Sequence, residues 1–176
     1  PGMEAAFVDI GLERAAFIHA SDVVSGQTSG DEPSDAPRTV PDIRTLLREG
    51  QSLVVQVTKD PIGTKGARLT TQLSIPSRYL VFMPGVCHVG ISQRIEDDSE
   101  RARLKSLIEE GAAEHDDVQG GYIIRTAAEA ASAEDLIADM TYLHRLSQSI
   151  QERIAKVQAP AVVYQDLPLF IRTIRD

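Results

Sequence analysis

Length, composition and charge restrict the classes of protein that this sequence can encode. The 176 residues suffice for one domain or two small ones, and the single cysteine, Cys87, excludes an intramolecular disulfide and suits a reducing cytoplasm. No apolar run approaches the length of a membrane helix, so membrane insertion is not expected. The net charge of −8 argues against general coating of nucleic acid.

Charge is segregated along the chain. Residues 38–78 contain seven basic and three acidic side chains, whereas residues 96–117 contain nine acidic and three basic ones. The basic part is compatible with a local RNA-binding surface, and equally with an ordinary solvated surface.

The first part of the chain has the pattern of short strands with one small helix. The predicted strands cover residues 5–10, 15–19, 53–57 and 67–73, and the first two are expected to form a hairpin. Residues 21–41 are rich in Ser, Asp, Gly and Pro, which predicts a long mobile loop. Asp42 is expected to cap a helix over residues 43–49, and residues 61–66 to form a turn. This pattern is typical of an OB-type barrel.

The second part alternates strands and helices after a domain boundary near Pro76. The predicted strands cover residues 79–83, 90–92, 120–124 and 161–165, and the predicted helices residues 97–111, 133–157 and 167–176. Residues 90–92 are expected to pair with residues 79–83. Ser132 and Asp135 have the spacing of a capping box at the start of the long helix.

The stretch from residue 120 to residue 129 carries the strongest functional signal. Tyr122, Ile123 and Ile124 have the character of a strand, and the two glycines before them allow close backbone approach. Arg125 then supplies a planar fork of donors suited to a phosphate, and Thr126 supplies a hydroxyl. The same pair is also typical of a salt bridge to a nearby acid and a helix cap, so the residues alone leave both interpretations open.

Five further blocks occur in a fixed order. They are GMEAAFVDIG (2–11), AFIH (16–19), KDPIGTKGARLTT (59–71), SRYLVFMP (77–84) and GISQRIE (90–96). Together they resemble the ribonuclease E/G family. The resemblance implies an α+β fold, in which a truncated OB-fold barrel of the S-one type (residues 1–75) lacks its first strand. It further implies a small α/β sensor domain for the RNA 5′ monophosphate (76–165) and the start of a further subdomain (166–176).

The resemblance also implies RNA contacts in the barrel domain. Two aromatic residues and one lysine of the family align with Phe7, Phe17 and Lys65. Without the resemblance, both phenylalanines would be interpreted as core residues, because each lies in an apolar run. Exposed aromatic rings stack on bases, and a lysine follows the phosphate backbone.

In the sensor domain, the resemblance implies that Arg125 and Thr126 bind the terminal phosphate and that Val81 contacts the first base. Arg94 is a candidate supporting contact. The resemblance implies two departures: Gln93 stands where some relatives have arginine, and Ser77 replaces a family glycine near the sensor strand.

No catalytic residue and no metal site are predicted in this chain. Metal-assisted phosphodiester cleavage needs convergent carboxylates, whereas Asp97 and Asp98 lie at a predicted helix start, where a cap is the simpler interpretation. The four histidines share no metal-ligand spacing: His19, His88, His115 and His144. The resemblance implies magnesium as the cofactor of the full-length enzyme, bound by residues that this chain lacks, and no cofactor for this portion.

The implied function is RNA binding and 5′-end sensing within a cytoplasmic, single-strand-specific endoribonuclease of rRNA and mRNA processing and decay. Its partner would be single-stranded RNA with a 5′ monophosphate, and the full-length protein would be a homo-oligomer. This portion is expected to lack cleavage activity by itself. The alternative is a non-enzymatic OB-fold RNA-binding or translation-associated protein.

Overall fold

The computed structural model describes residues 4–23, 41–113, 119–168 and 170–171. It contains both helices and strands, which confirms the expected α+β class. The chain folds into two compact units, Pro1–Leu73 with Gln158–Ala161, and Ser74–Val157 with Val162–Asp176. The predicted domain limits and the predicted barrel stay predictions, because the described strands form two four-stranded sheets and no closed barrel. Most of the predicted loop at residues 21–41 lies outside the described residues.

The first unit is built on a sheet with the order β1-β2-β4-β3. Its strands and its one α-helix are β1 (Ala5–Val8), β2 (Ala16–His19), α1 (Ile43–Leu46), β3 (Gln56–Lys59) and β4 (Arg68–Thr70). The predicted hairpin is confirmed, since β1 and β2 pair antiparallel. Strand β4 then pairs parallel with β2 and antiparallel with β3. One face of the sheet carries the small buried core of Ala16, Ile18, Ala67 and Leu69.

Several predicted bounds in this unit are wrong: strand β1 ends at Val8 instead of residue 10, and β4 covers Arg68–Thr70 instead of residues 67–73. Helix α1 is capped by the carboxylate of Asp42, as predicted, but it ends at Leu46 instead of residue 49. Leu47 leaves the helix in an extended conformation and packs against the small core, so tertiary burial ends the helix before Gly50 does. Strand β3 begins three residues later than predicted, at Gln56, because Val55 packs on the core without joining the ladder.

The second unit is built on a sheet with the order β5-β6-β8-β7. Its elements are β5 (Ile75–Pro76), β6 (Leu80–Pro84), β7 (Val89–Ile91), α2 (Asp98–Ala113), β8 (Gly120–Ile124) and α3 (Ala133–Lys156). The central pair, β6 and β8, is antiparallel. Strand β7 pairs parallel with β8, so the expectation that residues 90–92 pair with residues 79–83 is wrong.

Both long helices contribute to one core with the inner face of this sheet. The fully buried members include Leu80, Phe82, Tyr122 and Ile124 from the sheet and Leu104, Ile108, Leu136, Met140 and Leu143 from the helices. The helical members recur every three or four residues, which is the spacing of one helix face. The inner side of strand β8 is therefore buried, and the strand ends next to this core.

The starts of both long helices are as predicted. Oδ1 of Asp97 accepts hydrogen bonds from the Ser99 hydroxyl and from the amides of Glu100 (3.1 Å) and Ser99 (2.7 Å). These three bonds lower the pKa of Asp97. The Ser132 hydroxyl accepts from the amide of Asp135 at 3.1 Å and donates to its carboxylate at 2.7 Å. Asp97 therefore caps α2 and Ser132 caps α3, as predicted.

The ends of the elements are less well predicted. Helix α2 continues past Gly111 to Ala113, because this glycine serves close packing: a Cβ there would lie 2.9 Å from Sδ of Met140. The predicted strand over residues 161–165 is wrong, since that segment is irregular. Most of the predicted helix over residues 167–176 lies outside the described residues. No helix in the described ranges is long and apolar enough to cross a membrane.

Candidate functional site

Close backbone contacts fix the entry to strand β8. A Cβ on Gly121 would lie 2.3 Å from the carbonyl oxygen of His88 and 2.4 Å from that of Val86. On Gly120 it would lie 2.2 Å from the ring of Phe82. Only glycine fits at either position, so the predicted close approach of the backbone is confirmed. The strand is therefore held tightly before it delivers Arg125 to the sheet edge.

The Arg125 guanidinium is anchored to backbone carbonyls. Its Nη1 donates to the carbonyl oxygens of Ser77 and, at 3.2 Å, Arg78. The amide of Arg125 also donates to the Tyr79 carbonyl at 2.8 Å. Both interactions join the end of β8 to the turn that precedes β6. The half-buried arginine is therefore held in place through one nitrogen of its guanidinium group.

Helix α3 holds the turn that precedes β6 in place. Oδ2 of Asp139 accepts from the Ser77 hydroxyl at 2.5 Å and from the amides of Tyr79 and Leu80 at 3.1 Å each. A charged acceptor with three donors is a strong local anchor. The position of the Arg125 side chain thus depends on a carboxylate from a helix that is adjacent in space and distant in sequence.

The Thr126 hydroxyl contacts a residue that the sequence did not single out. Its Oγ1 lies 3.1 Å from Oγ of Ser92, which also accepts from the amide of Arg94 at 3.3 Å. Thr126 begins a 3-10 turn (Thr126–Ala128) whose N-cap residue is Arg125, and no side-chain capping bond is made there. The structure therefore brings Thr126 and Ser92 together at the ends of the paired strands β8 and β7.

An open cavity of about 460 Å³ lies at these strand ends. It is lined by Ser92, Arg94, Ile123, Ile124, Arg125, Thr126 and Ala127. Three of the four residues predicted to form the phosphate site thus meet in one cavity. Two guanidinium groups and two hydroxyls are donors of the kind that bind phosphate oxygens.

The fourth predicted residue, Val81, lies outside the cavity lining. It pairs directly with Ile123 on the neighbouring strand β8. Ile123 is 38% exposed, whereas Tyr122 and Ile124 on either side of it are fully buried. Val81 and Ile123 therefore form a small apolar surface on the outer face of the sheet, beside the cavity.

In the first unit, Phe7 and Phe17 are directly opposite each other in the antiparallel pair of β1 and β2. Paired side chains lie on the same face of a sheet, here the face opposite the buried Ala16 and Ile18. Phe7 is 76% exposed, so the interpretation of it as a core residue from the apolar run alone is wrong. Phe17 is half-buried.

Lys65 lies in the turn between β3 and β4. It is exposed and forms a backbone bridge with Ile62. This turn is attached to the β1–β2 connection, since Nη1 of Arg14 donates to the carbonyl of Gly63. A Cβ on Gly66 would lie 2.0 Å from the Ala15 carbonyl oxygen, which shows how closely the two segments approach.

Sequence reasoning missed Ser92 and Arg68. Arg68 pairs with Phe17 across the parallel strands β2 and β4, and its Nη2 lies 2.8 Å from Oδ2 of Asp22. The alternation of buried Ala67 and Leu69 around Arg68 was a usable signal that it faces outward. Ser92 gave no such signal, because its role depends on the pairing of β7 with β8.

No group of three or more His, Cys, Asp or Glu side chains in the described ranges is arranged to hold a metal ion. Asp97 accepts three hydrogen bonds at the start of α2, as a cap does. His144 is buried and hydrogen-bonded to the Tyr122 hydroxyl, and His115 lies outside the described residues.

Comparison with known proteins assigns this chain to one family. Residues 74–176 match the model described as the Ribonuclease E/G family, and the chain belongs to that family. It is 55% identical over 178 aligned residues to Ribonuclease G of Salmonella typhimurium and 53% identical to Ribonuclease G of Escherichia coli K12. It is 38% identical to Ribonuclease E of a Nostoc species. The resemblance inferred from the sequence is confirmed.

The matches cover all of this chain but only part of each relative. The chain spans 35% of the length of the two Ribonuclease G proteins and 24% of the Nostoc Ribonuclease E.

Proposed function

We propose that this chain is the RNA-binding and 5′-end-sensing portion of an endoribonuclease that acts on single-stranded RNA in rRNA and mRNA processing and decay. Membership of the Ribonuclease E/G family supports the nuclease over the non-enzymatic alternative. The observation that carries the sensing function is the convergence of Arg94, Arg125 and Thr126 on one open cavity.

The cavity suits a terminal phosphate monoester for three reasons. A dianion that only accepts hydrogen bonds matches a lining of guanidinium and hydroxyl donors. The carbonyls of Ser77 and Arg78 hold the Arg125 side chain in place before the ligand arrives, so less side-chain freedom is lost on binding. The surface formed by Val81 and Ile123 adjoins the cavity, where it would pack against the first base.

Phe7 and Phe17 would stack on two bases of the same strand, since they share one face of the sheet. Lys65 would contact the backbone at the end of that sheet. The strand order and the parallel pairing of β2 with β4 support a truncated OB fold, because four of the five strands of such a barrel would be present.

Cleavage, in this proposal, belongs to parts of the protein outside this chain, where acidic residues would bind magnesium. We therefore expect the 176-residue chain to bind RNA without cutting it. Homo-oligomerisation of the full-length protein and a cytoplasmic location are parts of the same proposal.

The decisive experiment compares two single-stranded RNAs that differ only in a 5′ monophosphate or a 5′ hydroxyl. Fluorescence anisotropy with the 176-residue chain should show tighter binding of the monophosphate RNA. Arg125→Lys and Thr126→Val should reduce that preference, by about tenfold for the arginine, because a charge-assisted hydrogen bond contributes about 1.5–3 kcal/mol.

The matched control is Arg145→Ala, which removes an exposed guanidinium on α3. It should lower the affinity for both RNAs by the same factor. Arg125→Ala is less informative, because it also removes the anchor to the Ser77 carbonyl and is expected to destabilise the fold. Equal affinity of the unmodified chain for the two RNAs would refute the sensing function.

A further inference from the structure

We propose that Ser92 is a specificity-determining residue of the 5′-end site, acting together with Thr126 as one hydroxyl pair that directs a single proton at the terminal phosphate. The inference rests on the proposed sensing function. It is carried by the 3.1 Å separation of the two hydroxyl oxygens and by the presence of both residues in the lining of one cavity.

The count of protons in this pair is definite. Each hydroxyl can donate one hydrogen bond and accept two. Oγ of Ser92 already accepts from the amide of Arg94. The bond between the two hydroxyls uses one of their two protons, and the other proton is left to point away from the pair. The pair can therefore donate once to a ligand that only accepts, such as a phosphate dianion.

The backbone holds Ser92 firmly for this role. Its amide donates to the Ile124 carbonyl at 2.9 Å, which continues the register of β7 along β8. Its carbonyl accepts from Nη1 of Arg101 at 3.0 Å and from the amide of Ile95 at 3.2 Å. A hydroxyl on so constrained a turn keeps its direction when a ligand enters, and hydrogen bonds in a chain strengthen one another.

A purely local role for Ser92 makes different predictions. A serine that only stabilises its turn through the Arg94 amide would affect folding and nothing else. In that case Ser92→Ala would lower the melting temperature and leave the preference between RNA ends unchanged. The two roles are separated by measuring that preference, the ratio of the dissociation constants for 5′-hydroxyl and 5′-monophosphate RNA, in protein shown to be folded.

Ser92→Ala leaves the Thr126 proton without its orienting partner and should reduce the ratio by roughly two- to threefold, with little change in affinity for the hydroxyl RNA. Ser92→Thr keeps a hydroxyl and should retain most of the ratio. Ser149→Ala, at an exposed serine of α3, is the matched control and should leave the ratio unchanged. Ser92→Cys, which keeps the size but hydrogen-bonds weakly, replaces the alanine variant if that variant is unfolded.

A double-mutant cycle with Thr126→Val tests the coupling directly. Each single variant leaves one hydroxyl whose proton can still reach the phosphate. A shared donor therefore predicts that the double variant loses more preference than the product of the two single losses, whereas independent contacts should only multiply their losses. An unchanged ratio in folded Ser92→Ala, or fully independent losses, would overturn the inference while the sensing function stands. If the unmodified chain shows no preference, the sensing function fails as well.

Discussion

Asp139 should determine both the stability of the second unit and the geometry of its candidate site. Its Oδ2 accepts from the Ser77 hydroxyl and from the amides of Tyr79 and Leu80. Asp139→Ala removes the acceptor of all three donors, while Asp139→Asn keeps an acceptor oxygen and loses the charge. The two variants therefore separate the presence of the acceptor from its charge.

The expected loss follows from the number of bonds. The Ser77 hydroxyl keeps a second acceptor, the Leu80 carbonyl at 2.9 Å, so the two amides are the donors left without a partner. A bond to a charged acceptor contributes about 1.5–3 kcal/mol, so their loss should reduce the free energy of unfolding by about 3 kcal/mol. The asparagine variant should lose about 1 kcal/mol, because bonds to a charged acceptor are stronger than neutral ones. Glu152→Ala is a control on the same helix: its carboxylate is 72% exposed and lies 3.5 Å from Lys156, and its removal should cost less than about 0.5 kcal/mol.

Urea unfolding followed by circular dichroism measures these differences. With slopes of about 1–3 kcal/mol per molar urea, a loss of 3 kcal/mol lowers the midpoint by roughly 1–3 M. Because the same turn supplies the carbonyls that anchor Arg125, Asp139→Asn should also lower the preference for monophosphate RNA. A loss for Asp139→Ala no larger than that of Glu152→Ala would show that this carboxylate is not the anchor.

Three further predictions concern separate parts of the chain. Lys65→Ala should lower the dependence of log affinity on log salt for single-stranded RNA by about 0.7, as expected for one lost phosphate contact, and an unchanged slope in folded protein would contradict the assignment. Gly121→Ala should prevent β8 from packing, since its Cβ would lie 2.3 Å from the His88 carbonyl oxygen; an unchanged melting temperature would disprove the close contact. Hydrogen bonds from Arg103 and from the Ala130 amide lower the pKa of Glu100 from 4.5 to about 2. The ionised Glu100 should therefore stabilise the fold fully above pH 4.5, and this stabilisation should disappear as the pH falls towards 2. In Glu100→Gln, the urea midpoint should change less with pH over this range. An identical pH dependence of the midpoint in the two proteins would refute the assignment.

Features that depend on residues a few positions apart were predictable from the sequence. The capping box of Ser132 and Asp135 and the cap at Asp97 are contacts between residues two or three positions apart. The β1–β2 hairpin likewise needs only two short apolar runs and a turn. In each case the partner lies within the same element or the next one, so spacing alone identifies it.

Features that depend on distant partners were not predictable. Gly111 has the character of a helix stop, yet α2 continues through it because Met140 packs against the glycine from another helix. Phe7 lies in an apolar run, yet its register opposite Phe17 places it on the exposed face. In both cases the residue type was interpreted correctly as small or apolar, and the wrong conclusion came from an unseen neighbour.

The candidate site combines both kinds of information. The strand end at Arg125 and Thr126 was visible in the sequence, but its neighbours depend on contacts between residues 34 to 48 positions apart. With β7 beside β6, as the sequence suggested, Ser92 would not reach Thr126; its position beside β8 places the two hydroxyls together. Ser77, where the family resemblance leads one to expect glycine, is 1% exposed and bonded to Asp139. The Ser77 hydroxyl therefore adds an anchor beneath Arg125, so Ser77→Gly should loosen the arginine without removing any side chain that lines the cavity.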